Sequence, residues 1–207
     1  MYSHLVPDLK KSRHILPGNR NSLRAVVAKN KRGNEEDHNM DGSIQVYYGN
    51  GRGKTTASLG LGIRAAASGK QVIMVQFLKK KHSDTLELLK KLEPELKIFR
   101  FETTKIEFCD LTPEEQKEQM VNIKTALAYT RKVITADQCD ILILDDILGL
   151  IHYEIISAQE LIDLLSLKRE TMAVLLTGQN LPDEIADYAD CIYQINSIKE
   201  DMLPILT

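Results

Sequence analysis

The chain predicts an α/β fold, a doubly wound, mostly parallel sheet of about six strands with helices on both faces. Short β-prone apolar runs alternate with helical stretches from Ser43 onward. One run, Ile-Leu-Ile-Leu at 141–144, is apolar at every position, as a strand buried on both faces requires. A glycine-rich turn, Gly49 to Gly53, joins the first apolar run to the first helical one. With 207 residues, 43% of them apolar, the chain can build one sizeable domain around a real core. No internal repeat is visible.

Taken in order, residues 1–42 are polar, charged and broken by Pro7, Pro17, Gly18 and Gly33, and read as a flexible basic arm. Residues 1–32 hold eight basic side chains and one acid, Asp8, which leaves 19 basic against 28 acidic residues in the remainder. The arm has no aromatic interleaving beyond Tyr2, so it reads as an inert tail or a flap over a ligand pocket, with no nucleic acid expected. Met40 offers an alternative start, just before the regular pattern begins. The domain then runs over 43–207. Strands are predicted at 44–48, 71–77, 96–101, 140–145, 172–177 and 191–195. Helices are predicted at 55–68, with Gly69 just past its end, and at 83–92, 113–136, 158–167 and 182–188. Pro113 suits the first turn of the longest of them.

The formal net charge is −2, and nothing global points to nucleic acid or an anionic membrane. No apolar run reaches the roughly 18 residues of a membrane span, and the N-terminus has no secretory core. Cys109, Cys139 and Cys191 are scattered, without a C-x-x-C pair, and read as reduced thiols in a cytoplasm. The five histidines have no metal-site spacing.

The segment Gly49-Asn50-Gly51-Arg52-Gly53-Lys54-Thr55-Thr56 carries the chemistry. Glycines let backbone N–H groups converge on an anion, and the positive end of the following helix favours phosphate. Lys54 would neutralise phosphate charge and the Thr55 hydroxyl would reach Mg²⁺. The usual P-loop has a glycine at the position of Tyr48, so this loop is one residue short. Asp145 ends an apolar strand and reads as a metal-side acid or as a cap on the next turn; Asp146 shares that reading. Arg52 reads as a phosphate contact or an exposed loop cation. Gln76 ends a strand on the ligand side, and Lys79-Lys80-Lys81-His82 reads as a solvated turn or an anion contact.

The run Tyr47-Tyr48-Gly-Asn-Gly-Arg-Gly-Lys-Thr-Thr-Ala resembles the shortened phosphate loop of the ATP:corrinoid adenosyltransferases, the bacterial cob(I)yrinic acid a,c-diamide adenosyltransferase family. Further blocks match in order: 59–66, Val75-Gln76-Phe77-Leu78-Lys79, Ile143-Leu144-Asp145-Asp146, and Leu176-Thr177-Gly178 followed by 182–190. The resemblance implies that a cobalt(I) corrinoid attacks the 5′-carbon of ATP and that triphosphate leaves. It implies ATP and Mg²⁺, a corrinoid co-substrate, a flavoprotein reductant and a cytoplasmic homodimer. It places ATP on 49–56 and Arg64, although Arg64 also reads as a solvent-facing helix residue. It puts the catalytic roles on Lys54 and Thr55, the metal on Thr55, Asp145 and Asp146, and the corrinoid against Phe108, which reads equally as an ordinary core aromatic.

The chain departs from the family pattern at four places. Asp146 stands where the family has Glu, and Gln179 where it has Arg. The chain has no Trp beside Phe108, and its C-terminal segment is short. A second reading is therefore a non-catalytic relative that keeps the nucleotide loop as a binding or regulatory module. A third, an ordinary phosphotransferase or ATPase, fits the shortened loop less well.

Overall fold

The structure is a computed structural model that describes residues 42–79, 89–101, 106 and 108–199. The chain divides after Asn39, and all of these residues belong to the second unit. Its strands are β1 (Ile44–Tyr48), β2 (Val72–Gln76), β3 (Leu96–Arg100), β4 (Ile141–Asp145), β5 (Ala173–Gly178) and β6 (Cys191–Gln194). Its helices are α1 (Lys54–Ala67), α2 (Pro113–Thr135), α3 (Ile147–His152), α4 (Ala158–Leu165) and α5 (Asp183–Tyr188). The six strands form one sheet in the order β3-β2-β4-β5-β1-β6, and every neighbouring pair is parallel.

Side-chain alternation along each strand divides the core between two faces. Tyr47, Val72, Met74, Leu96, Ile141, Ile143, Ala173 and Leu175 form one face, against Ala57, Leu59, Leu61, Ala65 and Ala66 of α1. Val46, Ile73, Val75, Leu142, Leu144, Val174 and Leu176 form the other, packed with residues of α2, α3, α4 and α5. β2, β4 and β5 are buried along their whole length, and β1 along all but its last residue, Tyr48. Each fully buried aliphatic side chain contributes roughly 1.5–3 kcal/mol. The fold is thus the doubly wound α/β sheet the sequence predicts.

Local chemistry explains the helix starts. Thr112 and Glu115 form a reciprocal capping box on α2 with Pro113 at the first position, and Ser157 and Glu160 do the same for α4. Two close approaches need glycine. A Cβ at Gly62 would come within 2.9 Å of Ile143 Cδ1, so α1 lies low on the sheet. A Cβ at Gly178 would collide with Leu148 Cβ, so α3 closes directly over the end of β5.

The predicted elements lie within two residues of the observed ones, with two differences. Of the helix expected at 83–92, only residues 89–92 are described, and they end in a 3-10 turn at Lys90–Leu92. The sequence reading has no helix at 147–152, where α3 stands. The arm, Met40 and residues 80–82 lie outside the described residues. No helix among the described residues is long and apolar enough to cross a membrane.

Candidate functional site

The turn from β1 into α1 is held open by its glycines. Gly49 and Gly53 have φ of 120° and 107°, in the left-handed region that side chains avoid. A Cβ at Gly49 would also strike the Ile195 carbonyl. Gly49 N–H donates to the Gln179 carbonyl (3.0 Å) and Gly51 N–H to that of Ile195 (2.9 Å), which ties the loop to the ends of β5 and β6. The first α1 hydrogen bond runs from Ala57 N–H to the Gly53 carbonyl (2.7 Å). The N–H groups of Lys54, Thr55 and Thr56 precede it at the open end of the helix, whose first turn holds no acidic residue. Lys54 Nζ folds over the loop and donates to the carbonyls of Gly49 (2.6 Å) and Gly51 (2.8 Å). Burial lowers its pKa from the ordinary lysine value, while Asp146 and Asp145 pull it back up and Lys79 adds to the lowering.

Asp145 is the hub of the site. It is fully buried at the end of β4. Its Oδ1 accepts from the hydroxyls of Thr55 (2.8 Å) and Thr177 (2.7 Å), and its Oδ2 from Gln76 Nε2 (3.0 Å). Lys79 Nζ lies 3.9 Å from that same Oδ2 and 3.2 Å from Asp146 Oδ2. Asp146 has a positive φ of 64° at the start of α3, and its N–H donates to Thr177 Oγ1 (2.8 Å). Burial pushes the Asp146 carboxyl upward, the Lys79 ammonium draws it back, and the neighbouring Asp145 charge raises it again.

Beyond Asp146 opens a cleft of about 160 Å³, walled by Leu78, Phe108, Tyr153, His152, Gln179 and Asn180. The Phe108 and Tyr153 rings lie 5.3 Å apart, and Asn180 Nδ2 is 3.1 Å from His152 Nδ1.

The model of the ATP:corrinoid adenosyltransferase BtuR/CobO/CobP family matches residues 40–203. The chain belongs to the ATP:corrinoid adenosyltransferase family. It is 25% identical over 158 residues to a corrinoid adenosyltransferase of Escherichia coli K12, covering 76% of this chain and 78% of that protein. It is 27% identical over 158 residues to the corrinoid adenosyltransferase CobA of Salmonella typhimurium, with the same coverage. The corrinoid adenosyltransferase of a Sinorhizobium species is 28% identical over 160 residues, covering 76% and 73%.

In this adenosyltransferase-family chain, the residues read from the sequence are brought together only in part. Gly49 to Thr55 and Asp145 meet at one point, and Asp146 borders it. Arg52 and Thr56 are exposed beside them. Arg64 is exposed in the last turn of α1, roughly 15 Å along the axis from Lys54, and does not join the loop. Phe108 and Asp146 line the same cleft. Four participants were missed or left undecided. Thr177 was read only as part of the matched Leu176-Thr177-Gly178 block, and Arg100, whose guanidinium donates to Gln76 Oε1 at 2.6 Å, had no signal apart from its place at a strand end. Tyr153 sits past a helix that the sequence does not reveal. Lys79 read as part of a charge run, and the rest of that run lies outside the described residues.

No cluster of three or more His, Cys, Asp or Glu exists among the described residues. The donor set nevertheless fits Mg²⁺ held mainly by nucleotide and water, because such sites take only one or two protein oxygens. Thr55 Oγ1 and Asp145 are already 2.8 Å apart at the loop mouth.

Proposed function

We propose that this protein transfers the 5′-deoxyadenosyl group of ATP to the cobalt(I) of a corrinoid and releases triphosphate. The observation that carries the reading is the Thr55–Asp145 hydrogen bond, which couples the nucleotide loop to the buried acid in a chain of this family. In the reaction, the cobalt(I) electron pair forms the cobalt–carbon bond to C5′. The C5′–O bond breaks, triphosphate departs with its electron pair, and cobalt rises formally from +1 to +3. The substrate supplies the nucleophile, so no general base is needed. What remains for the protein is orientation and charge stabilisation on the leaving group.

The α1 N–H groups and the Lys54 ammonium would receive triphosphate oxygens. Thr55 and Asp145 would hold Mg²⁺, with Asp146 acting through water. Bound there, Mg²⁺ neutralises charge on the leaving group. The cleft beside Asp146 would take the corrinoid, with Phe108 and Tyr153 as its aromatic wall. The family resemblance supports a cytoplasmic homodimer supplied by a flavoprotein reductant.

The test is an anaerobic incubation with ATP, Mg²⁺ and chemically reduced cobalamin. The cobalt–carbon product is followed by its spectrum and the phosphates are separated by ion exchange. Intact triphosphate in step with the adenosylated product is expected. ADP as the main product would leave an ATPase, and tight ATP binding with no product would leave a binding module.

Residues 1–42 fit this reading as a basic arm separate from the catalytic domain at 43–207. A chain starting at Met40 is then expected to melt within about 4 °C of the full chain, a margin of roughly 1–2 kcal/mol at this size. A larger fall in the melting temperature would show that the arm is docked.

A further inference from the structure

The parallel register sets one polar row across the ends of three neighbouring strands. Arg100 of β3 is opposite Gln76 of β2, and Gln76 is opposite Asp145 of β4. All three positions continue the alternation whose inner members, Ile98, Met74 and Ile143, line the α1 face. Their side chains are joined in the same order. Arg100 donates to Gln76 Oε1 from its Nε (3.2 Å) and from a terminal nitrogen (2.6 Å). Gln76 Nε2 then donates to Asp145 Oδ2 (3.0 Å).

We infer that Arg100 is a positioning residue for the nucleotide site, acting on Asp145 through Gln76. The argument is one of donors and acceptors. A guanidinium has only donors, so Gln76 must turn its carbonyl oxygen toward Arg100. Its NH₂ group is thereby directed at Asp145. Without Arg100 the contact with Asp145 alone orients the buried amide, whose oxygen end is then unanchored and can swing the NH₂ group away from Oδ2. With Arg100 in place, Oδ2 is held on one side by Gln76 while Oδ1 is held on the other by Thr55 and Thr177. The carboxylate plane is then fixed before any ligand arrives, and the Thr55 hydroxyl with it. This inference rests on the reading of Asp145 as the acid of the nucleotide–metal site.

The experiment compares the parent with Arg100→Met, Gln76→Ala, the double variant and Arg100→Lys, which keeps a single donor. In the nucleotide-free proteins, the Gln76 side-chain amide protons are followed by NMR. They are expected to exchange slowly in the parent and on the order of tenfold faster in Arg100→Met, because the closed hydrogen bond is lost. By calorimetry, Mg-ATP affinity is expected to fall about tenfold in Arg100→Met and in Gln76→Ala. The double variant should be no worse than the poorer single one, since the two residues act in series. Affinity for ATP without Mg²⁺ should change by no more than about twofold, since the α1 N–H groups and Lys54 bind it. Arg100→Lys should retain most of the parent affinity and controls for folding. Losses that add in the double variant, or an equal loss without Mg²⁺, would mean direct contact with the nucleotide and would overturn the relay. Unchanged Mg-ATP affinity in Arg100→Met would overturn it too. If the parent bound no Mg-ATP, the nucleotide reading would fail, and the Gln76 exchange rates alone would decide the relay.

Discussion

Replacing Lys54 with alanine is expected to weaken Mg-ATP binding by roughly 1.5–3 kcal/mol, the scale of a charge-assisted hydrogen bond. Two losses contribute. The ammonium is the one basic group that the sequence places directly in the helix start, and it lies over the loop mouth. It also ties the loop together by donating to the Gly49 and Gly51 carbonyls at 2.6 and 2.8 Å. The side chain is partly buried, and burial lowers its pKa, so the free ammonium is already under-solvated. A triphosphate arriving at the helix end therefore meets a cation that is partly shielded from water, where charge pairing is stronger than in bulk solvent. Lys54→Met keeps the alkyl stem over the loop and removes the charge and donors, so it separates both of these losses from loss of the stem's packing. Calorimetry with Mg-ATP measures both variants. Affinity equal to the parent's in both would remove Lys54 from the site.

How far the sequence revealed this arrangement depends on the kind of signal. The strands were legible because each is a short apolar run closed by a polar residue or a turn, and the phosphate loop because Gly49, Gly51 and Gly53 stand between such a run and an alanine-rich helix. Asp145 was legible as the polar end of Ile-Leu-Ile-Leu. α3 was not, because Ile-Leu-Gly-Leu-Ile-His is apolar on nearly every side and too short to show a period. Burial of Ile147, Leu148 and Leu150 against the core holds it in place instead. Tyr153 follows that helix, so the aromatic partner of Phe108 could not be found in the stretch where it was sought. Arg100 and Thr177 were hidden for another reason. Each is ordinary in its own segment and gains a role only from strand order, which places β2 between β3 and β4 and β5 beside β4. Strand order is a property of crossovers, and local sequence does not report it.

Replacing Asp145 with asparagine is expected to cost the larger amount, on the order of 10²–10³-fold in kcat/KM, as loss of a preorganised electrostatic group does. The side chain keeps its shape, so the cost lies in charge and donor direction. An amide nitrogen in place of Oδ2 would face Gln76 Nε2, another donor, and Gln76 cannot turn over while Arg100 holds its oxygen. An amide nitrogen in place of Oδ1 would face the Thr55 and Thr177 hydroxyls. Thr177 Oγ1 already accepts from Asp146 N–H, so its own proton would then lose its acceptor. Either orientation forfeits a buried hydrogen bond, about 1–3 kcal/mol of stability. For a chain of this size that lowers the melting temperature by roughly 2–12 °C, and the protein stays folded at room temperature. The loss of negative charge beside Thr55 is the functional part on the proposed reading, in which Thr55 and Asp145 would hold Mg²⁺. The decisive measurement is the affinity for ATP with and without Mg²⁺. In the parent, Mg²⁺ should tighten binding; in Asp145→Asn the two affinities should converge, with metal-free binding close to the parent's. If Mg²⁺ still tightened binding in the variant as it does in the parent, Asp145 would be a structural cap on α3 and β5, and the metal would have to be sought at Asp146.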